Sequence, residues 1–248
     1  MGDKYIDAMK IDSDITENYY LKSIKQKTEQ QKFIENILLG KINTFPKIIA
    51  DVACGGGGAI YHISKIFPHS SYIAIDLNDD AIKFAMKHLS GLLNENIKYI
   101  NDSIYNMKSL KDNYCDLVLC LQTISWLDDP HKALLELIRI CKKKGNIVVS
   151  GLFNIDYDVD IYSKVFDLTR NSKHIGLNYN TLSIKTIYGW LKNIVSDIEI
   201  MPMPINIELA KNTRGLGTHT IKIKAEQFHN IQVSGGILMN WGMLIIKK

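Results

Sequence analysis

Three acids and a run of four glycines define the chemistry open to this chain. Asp51 stands four residues ahead of Gly55, and Gly55 to Gly58 are consecutive glycines. The residues before them, Lys47 to Val52, are short, apolar and β-branched, as in a buried strand, and Ile60, Ile63 and Ile66 after them have helical spacing. Strand, glycine turn and helix together let a backbone approach a nucleotide closely. A dinucleotide turn needs a third glycine three residues on, but Gly55 and Gly57 are followed by Ile60, and Gly56 and Gly58 by Tyr61. The Gly-Lys-Ser/Thr of a phosphate loop is absent as well. An acid beside the turn repels phosphate and suits an ammonium group. Asp76 falls nineteen positions after Gly57, close to the spacing at which an acid accepts hydrogen bonds from ribose hydroxyls. Asp102 ends a third strand. One ligand fits all three acids: an adenosine with a free ribose and a zwitterionic amino-acid tail.

The elements that must position these residues are legible from periodicity. Ser71–Asp76 reads as a second strand, and Asp79–Leu89 as a helix with acids in its first turn. Strands are expected at Ile97–Ile100, Asp116–Leu121 and Asn146–Phe153. Pro130 opens a helix that is expected to bury Leu134, Leu135, Leu137, Ile138 and Cys141. It is expected to carry Lys142, Lys143 and Lys144 in its last turn and to stop at Gly145. Upstream, Phe33, Ile34, Ile37 and Leu38 form a helical stripe that Gly40 is expected to cap. Tyr19 and Tyr20 precede it; they either pack one ring on the domain or belong to a lid over the ligand. Downstream, helices are expected near 158–170 and at Leu182–Ile194, with strands at Ile198–Ile207, Thr218–Ala225 and Trp241–Ile246. The fold class is α/β. A doubly wound, mostly parallel seven-stranded sheet with an antiparallel last strand carries a lid or cap built from the N-terminal helix and residues 154–240. The division is a single domain, 1–248: lid helices 1–45, ligand-binding half 46–153, cap and edge strands 154–240, last strand 241–248.

Composition excludes several classes. The chain has 248 residues, 46% hydrophobic and 23% charged, which suits one domain with a sizeable core. A net charge of +4 and a pI near 8.7 fall short of a dedicated nucleic-acid surface, so no nucleic-acid partner is expected. Cys54, Cys115, Cys120 and Cys141 form no Cys-x-x-Cys pair, so reduced thiols and a cytoplasmic setting are expected, with no metal site. The polar N-terminus is not a signal peptide, and no apolar run is long enough to span a bilayer, so no membrane partner is expected.

Asp51-Val-Ala-Cys-Gly-Gly-Gly57 resembles the first motif of class I (Rossmann-like) S-adenosylmethionine-dependent methyltransferases, of the small-molecule type. Asp76, Asp102 and the strand Asp116-Leu-Val-Leu-Cys-Leu121 fall where that family places its next three motifs. The resemblance covers about residues 45–153, with the last strand at 241–247; Ala53 stands where many members have glycine. It implies S-adenosyl-L-methionine as methyl donor and S-adenosyl-L-homocysteine as product. It further implies that Asp51 and the backbone of Ala53, Cys54, Gly55 and Gly57 meet the methionine tail. Asp76 would hold the ribose, Leu77 flank the adenine, Asp102 receive the adenine amino group with the Ser103 amide beside it, and Leu121 and Gln122 lie by the sulfonium.

The expected acceptor is a small molecule, methylated on oxygen, and the protein a monomer or homodimer. The Pro-Pro-aromatic tetrad of amino-methylating nucleic-acid enzymes is replaced by Leu121-Gln-Thr-Ile124, and no cysteine follows a proline. The segments Gly217–Thr220 and Ser234–Leu244 resemble bacterial members from cell-surface or secondary-metabolite clusters, which implies a sugar, or a phosphorus-containing sugar substituent, as acceptor. Candidate general bases are His219 and His174, because His62, His69, His88, His131 and His229 read as surface residues. Tyr20, Trp126, Phe153 and Tyr157 are candidates to wall the acceptor pocket. Alternatives are N-methylation of a small amine, a tRNA-directed enzyme, and a non-catalytic adenosine-ligand-binding module.

Overall fold

The computed structural model describes residues 4–42, 45–91, 96–203, 218–222, 230–234 and 237–248; between 218 and 241 it describes one side chain, that of Thr220. The chain opens with α1 (Lys4–Ile11), α2 (Ser13–Lys25) and α3 (Glu29–Lys41). A Rossmann-like alternation follows: β1 (Ile48–Val52), α4 (Gly58–Ile63), β2 (Ser71–Asp76), α5 (Asp79–Leu89), β3 (Ile97–Asn101), β4 (Cys115–Leu121), α6 (Pro130–Ile140) and β5 (Cys141–Asn154). Then come the short strands β6 (Lys164–Val165), β7 (Leu177–Asn178) and β8 (Leu182–Ser183), helix α7 (Ile184–Leu191), and β9 (Asp197–Pro202), β10 (Thr218–Lys222), β11 (Asn230–Ser234) and β12 (Ile237–Lys247).

The seven core strands lie in the order β3-β2-β1-β4-β5-β12-β9. β3, β2, β1, β4 and β5 are parallel, while β12 runs antiparallel between β5 and β9. β8, β10 and β11 add to this core and make a ten-stranded sheet. Side chains alternate across it with the period of two that a pleated strand imposes. Ala50, Val52, Ile73, Ile75, Val118, Cys120, Ile147 and Val149 face α6 and α7. Ile49, Ala74, Leu117, Leu119 and Val148 face α3, α4 and α5. Both faces are therefore dry, and the polar ends of β1, β2 and β4 form the carboxyl edge, where open α/β sheets bind ligands.

Local chemistry explains the helix starts. Thr28 and Gln31 close a capping box on α3, Asn78 accepts the Asp80 amide at α5, and Asp129 with Pro130 opens α6.

Several expectations fail on long-range grounds. Gly40 does not cap α3, which runs through it to Lys41 and ends at an extended Ile42. Lys142–Lys144 is not a helix end: α6 stops at Ile140, and Cys141 pairs with Cys115 at the start of β5. The register then jumps from Cys115↔Cys141 to Leu117↔Asn146, so residues 142–145 bulge out, with Lys142 paired to Asp116 (Nζ–Oδ1 2.8 Å) and Lys144 in the left-handed region. Leu135 is exposed rather than core. The helix expected near 158–170 is absent; β6 pairs antiparallel with β7 across that segment instead. The Ile198–Ile207 strand ends at Pro202, and residues from 204 lie outside the described residues, as do 223–225 of the expected Thr218–Ala225 strand.

Candidate active site

The site is built on the end of β1. Asp51 is buried at 2% exposure, and its Oδ2 has no hydrogen-bond partner among the described residues. Burial, with Asp76 adding its charge, pushes the Asp51 carboxyl up to about 8. An unmet hydrogen bond on a buried polar atom costs about 1–3 kcal/mol. A cation beside Asp51 offsets that cost, so the donor set fits an ammonium group.

The loop after Asp51 turns by alternate left-handed residues: Ala53 (φ 60°), Gly55 (φ 52°) and Gly57 (φ 80°). Gly57 N–H donates to the Cys54 carbonyl at 3.0 Å and closes the turn. Gly56 and Gly58 have another reason to be glycine. A side-chain carbon on Gly56 would stand 2.5 Å from Cβ and Cγ of Tyr20, and one on Gly58 would stand 2.4 Å from Oγ of Ser23. Two glycines shape the turn; the other two let α2 lie on it.

Asp76 ends β2 and faces this loop. Its Oδ2 accepts Gly55 N–H at 2.8 Å and its Oδ1 accepts Asn78 N–H at 2.8 Å. A carboxylate held this way at the end of the second strand is the kind of group that accepts ribose hydroxyls in this topology. Asn101 donates to the carbonyls of Asp76 (3.0 Å) and Leu77 (2.9 Å) and ties β3 to this edge. Leu77 is exposed enough to cover a ring. Asp102 is engaged as a turn cap: Oδ1 accepts Ser103 N–H at 2.8 Å, and Oδ2 accepts Ser109 N–H at 3.0 Å and the Ser109 hydroxyl at 2.6 Å. Burial raises its pKa, but the Ser109 and Ser103 donors outweigh that and hold it below the usual carboxylate range.

At the end of β4, Gln122 adopts φ 58°, with its N–H donating to the Ser150 hydroxyl at 2.8 Å and carbonyl at 3.1 Å. Its Oε1 accepts the Tyr19 hydroxyl at 3.0 Å. Ser150 is fully buried and also accepts from the Gln30 side chain. Gln30, Asn101 and Ser150 escape a sequence reading because their partners are 120, 25 and 28 residues away. Helix periodicity alone flags Gln30 as a polar residue on a buried face.

The proposed acceptor wall divides. Half-buried Trp126 packs between Tyr5 and Tyr179, with centroids at 5.4 and 4.8 Å. Tyr20 lies on the glycine loop. Phe153 is fully buried in the core beneath Gly242, and Tyr157 is on the surface at 68% exposure, so neither walls a pocket. His174 is exposed on a turn. His219 lies in β10 opposite Val233, and its side chain is outside the described residues. His62 is not a surface residue: it is buried, with Nε2–H donating to the Ser23 carbonyl at 2.9 Å.

Residues 50–149 match the family model for a methyltransferase domain. This stretch is a class I S-adenosylmethionine-dependent methyltransferase domain. Among related sequences, malonyl-[acyl-carrier protein] O-methyltransferase of Hahella chejuensis is 30% identical over 109 residues, covering 43% of this chain and 37% of that protein. Ubiquinone biosynthesis O-methyltransferase of Nitrosomonas europaea is 30% identical over 106 residues, 43% of this chain and 44% of that protein. The chain thus spans about two fifths of the length of these relatives. Among solved structures, geranyl diphosphate C-methyltransferase of Streptomyces coelicolor, in complex with Mg²⁺, geranyl diphosphate and S-adenosyl-L-homocysteine, superposes with TM-score 0.60 at 11% identity. The match covers 88% of this chain and 79% of that one, and at that identity it carries the fold alone. The methyltransferase domain takes S-adenosylmethionine as its cofactor, and Asp51, the loop and Asp76 suit its ammonium and ribose. Among the described residues no helix is long and apolar enough to cross a membrane, and no group of three His, Cys, Asp or Glu could hold a metal ion.

Proposed function

We propose that this chain is an S-adenosylmethionine-dependent O-methyltransferase acting on a small-molecule or carrier-bound acceptor. The observation that carries the donor half is the buried Asp51 Oδ2, without a hydrogen-bond partner among the described residues, beside the turn of Gly55 and Gly57, with Asp76 opposite. Oxygen as the methylated atom is supported by the two O-methyltransferase relatives. Their names carry a malonyl-acyl-carrier protein and ubiquinone biosynthesis, neither a sugar, so the proposal does not extend to a polysaccharide substituent.

When bound, the donor supplies an electrophilic methyl on a sulfonium: an acceptor oxygen forms the new C–O bond as the C–S bond breaks, leaving a thioether. The chain's residues act by placement. Asp51 and the loop hold the tail, Asp76 the sugar, and Gln122, fixed by Ser150, borders the reacting edge. Proximity and exclusion of water carry most of the rate gain in such a displacement. An acidic acceptor hydroxyl or carboxyl needs no strong base, which suits a site where exposed His174 and buried His62 are poorly placed to serve.

Calorimetry with S-adenosylhomocysteine tests the donor reading: the native protein should bind it, and Asp76→Ala should weaken binding at least tenfold. Absence of binding by the native protein sinks the proposal. Incubating cell extract with methyl-labelled donor then identifies the acceptor. Tight donor binding with no labelled product would favour a non-catalytic binding module.

A further inference from the structure

The N-terminal helices pack on the donor loop, and the buried group they bring there without a hydrogen-bond partner among the described residues is the Tyr20 hydroxyl. Tyr20 is 5% exposed; its ring leans on Gly55 and Gly56 and packs against Phe84 with centroids 5.3 Å apart. Its hydroxyl has no hydrogen-bond partner among the described residues. Among the described residues, four buried side-chain atoms lack one: the Tyr20 hydroxyl, Asp51 Oδ2, Glu35 Oε1 and His62 Nδ1. The last two line a separate small recess with Gln31 and Leu121. The first leans on the glycine loop, and the second stands in the strand that leads into it.

Those two atoms are of opposite kind. Asp51 Oδ2 accepts. The Tyr20 hydroxyl donates, because burial, with Asp76 close by, raises the phenol far above any working pH and keeps its proton in place. An acceptor and a donor together complement a zwitterion. The ionisable side chains at the loop, Asp51 and Asp76, are both acids; they suit an ammonium and sugar hydroxyls and offer no cation to a carboxylate. A tail carboxylate there needs a neutral or positive donor, and α2 delivers one.

The helix pair is anchored at three further points. His62 Nε2–H donates to the Ser23 carbonyl at 2.9 Å, the Tyr19 hydroxyl donates to Gln122, and Asp12 accepts from Asn171 N–H at 3.1 Å and from the Ser172 hydroxyl. The pair thus touches the donor loop, the end of β4 and the segment after β6 at once.

We propose that Tyr20 is a donor-binding residue whose hydroxyl donates to the carboxylate of the S-adenosylmethionine tail while Asp51 takes the ammonium, so that docking of α1 and α2 as a lid completes the tail subsite. The proposal rests on the donor reading above. Tyr20→Phe removes the hydroxyl and keeps the ring on Gly56. The full chain is titrated calorimetrically with S-adenosylhomocysteine, with S-adenosyl-3-thiopropylamine, which keeps the amine and lacks the carboxylate, and with methylthioadenosine, which lacks the tail. Tyr20→Phe should bind S-adenosylhomocysteine about tenfold or more weakly and bind the other two as the native protein does, since a hydrogen bond to a charged group is worth about that factor. Asp51→Asn should weaken the two amine-bearing ligands and spare methylthioadenosine. Equal losses for Tyr20→Phe across all three ligands, or no loss for any, would overturn the tail assignment and leave the donor reading standing. Failure of the native protein to bind S-adenosylhomocysteine overturns both.

Discussion

Tyr20 rests on Gly56 so closely that its Cβ and Cγ stand 2.5 Å from where a side-chain carbon of Gly56 would be. That contact joins a helix thirty-odd residues upstream to the loop that follows β1. It makes the glycine run a docking surface as well as a turn.

Gly56→Ala should therefore dislodge α2. The residue is not in the left-handed region, so alanine suits its backbone and only the contact is lost. Hydrogen exchange over residues 13–25 should accelerate while β1 and β4 stay protected. Gly40→Ala is the control: nothing lies within 4 Å of its missing side chain inside α3, so it should stabilise the protein by about 0.5–1 kcal/mol. Unchanged exchange over α2 in Gly56→Ala would refute the docking role.

Ala53 carries the opposite problem. At φ 60° an L-residue pays about 1–2 kcal/mol. Replacement by glycine removes that strain and adds about 0.5–1 kcal/mol of unfolded-state entropy. Ala53→Gly should thus raise the unfolding free energy by up to about 1.5 kcal/mol in urea titration.

Donor binding should release a proton. Asp51 titrates near 8 in the protein, so at pH 7 it is mostly neutral. An ammonium beside it favours the carboxylate and lowers its pKa, so binding expels the proton, and affinity rises with pH until about 8. Calorimetry with S-adenosylhomocysteine at pH 7 in buffers of differing ionisation enthalpy should show release approaching one proton. Asp51→Asn should show none.

His62 predicts an acid-sensitive helix contact. Burial lowers its pKa, the Ser23 carbonyl and Glu35 raise it, and Lys65 and Lys27 lower it; the net shift is downward. A depressed folded pKa means the unfolded chain binds more protons. Stability from this group is present above the unfolded value of about 6.5 and falls as pH drops through the folded value. Melting temperature should decline below about pH 6.5, and His62→Gln should flatten that decline.

Much of the donor half was legible because its signals are local. Asp51, Asp76 and Asp102 stand at or within one residue of the ends of strands whose apolar runs announce them, and an acid at a strand end stays there whatever packs above it. Ala53 stands where many members of the family have glycine, and its left-handed backbone appears only when the turn closes. Gly40 looked like a stop, yet a single glycine does not end a helix whose buried stripe, Ile34, Ile37 and Leu38, continues to be packed.

By itself the sequence determined the alternation of strands and helices from Lys47 to Phe153, the acids at the carboxyl edge and the kind of donor they suit, since these depend on periodicity and on residues a few positions apart. Only the tertiary structure decided that Gly56 and Gly58 serve α2, that Phe153 is core and Tyr157 surface, that His62 is buried, and that Lys142 belongs to a bulge. Each of those rests on a contact between residues far apart in the chain, and residue type says what a side chain can do without saying what will stand next to it.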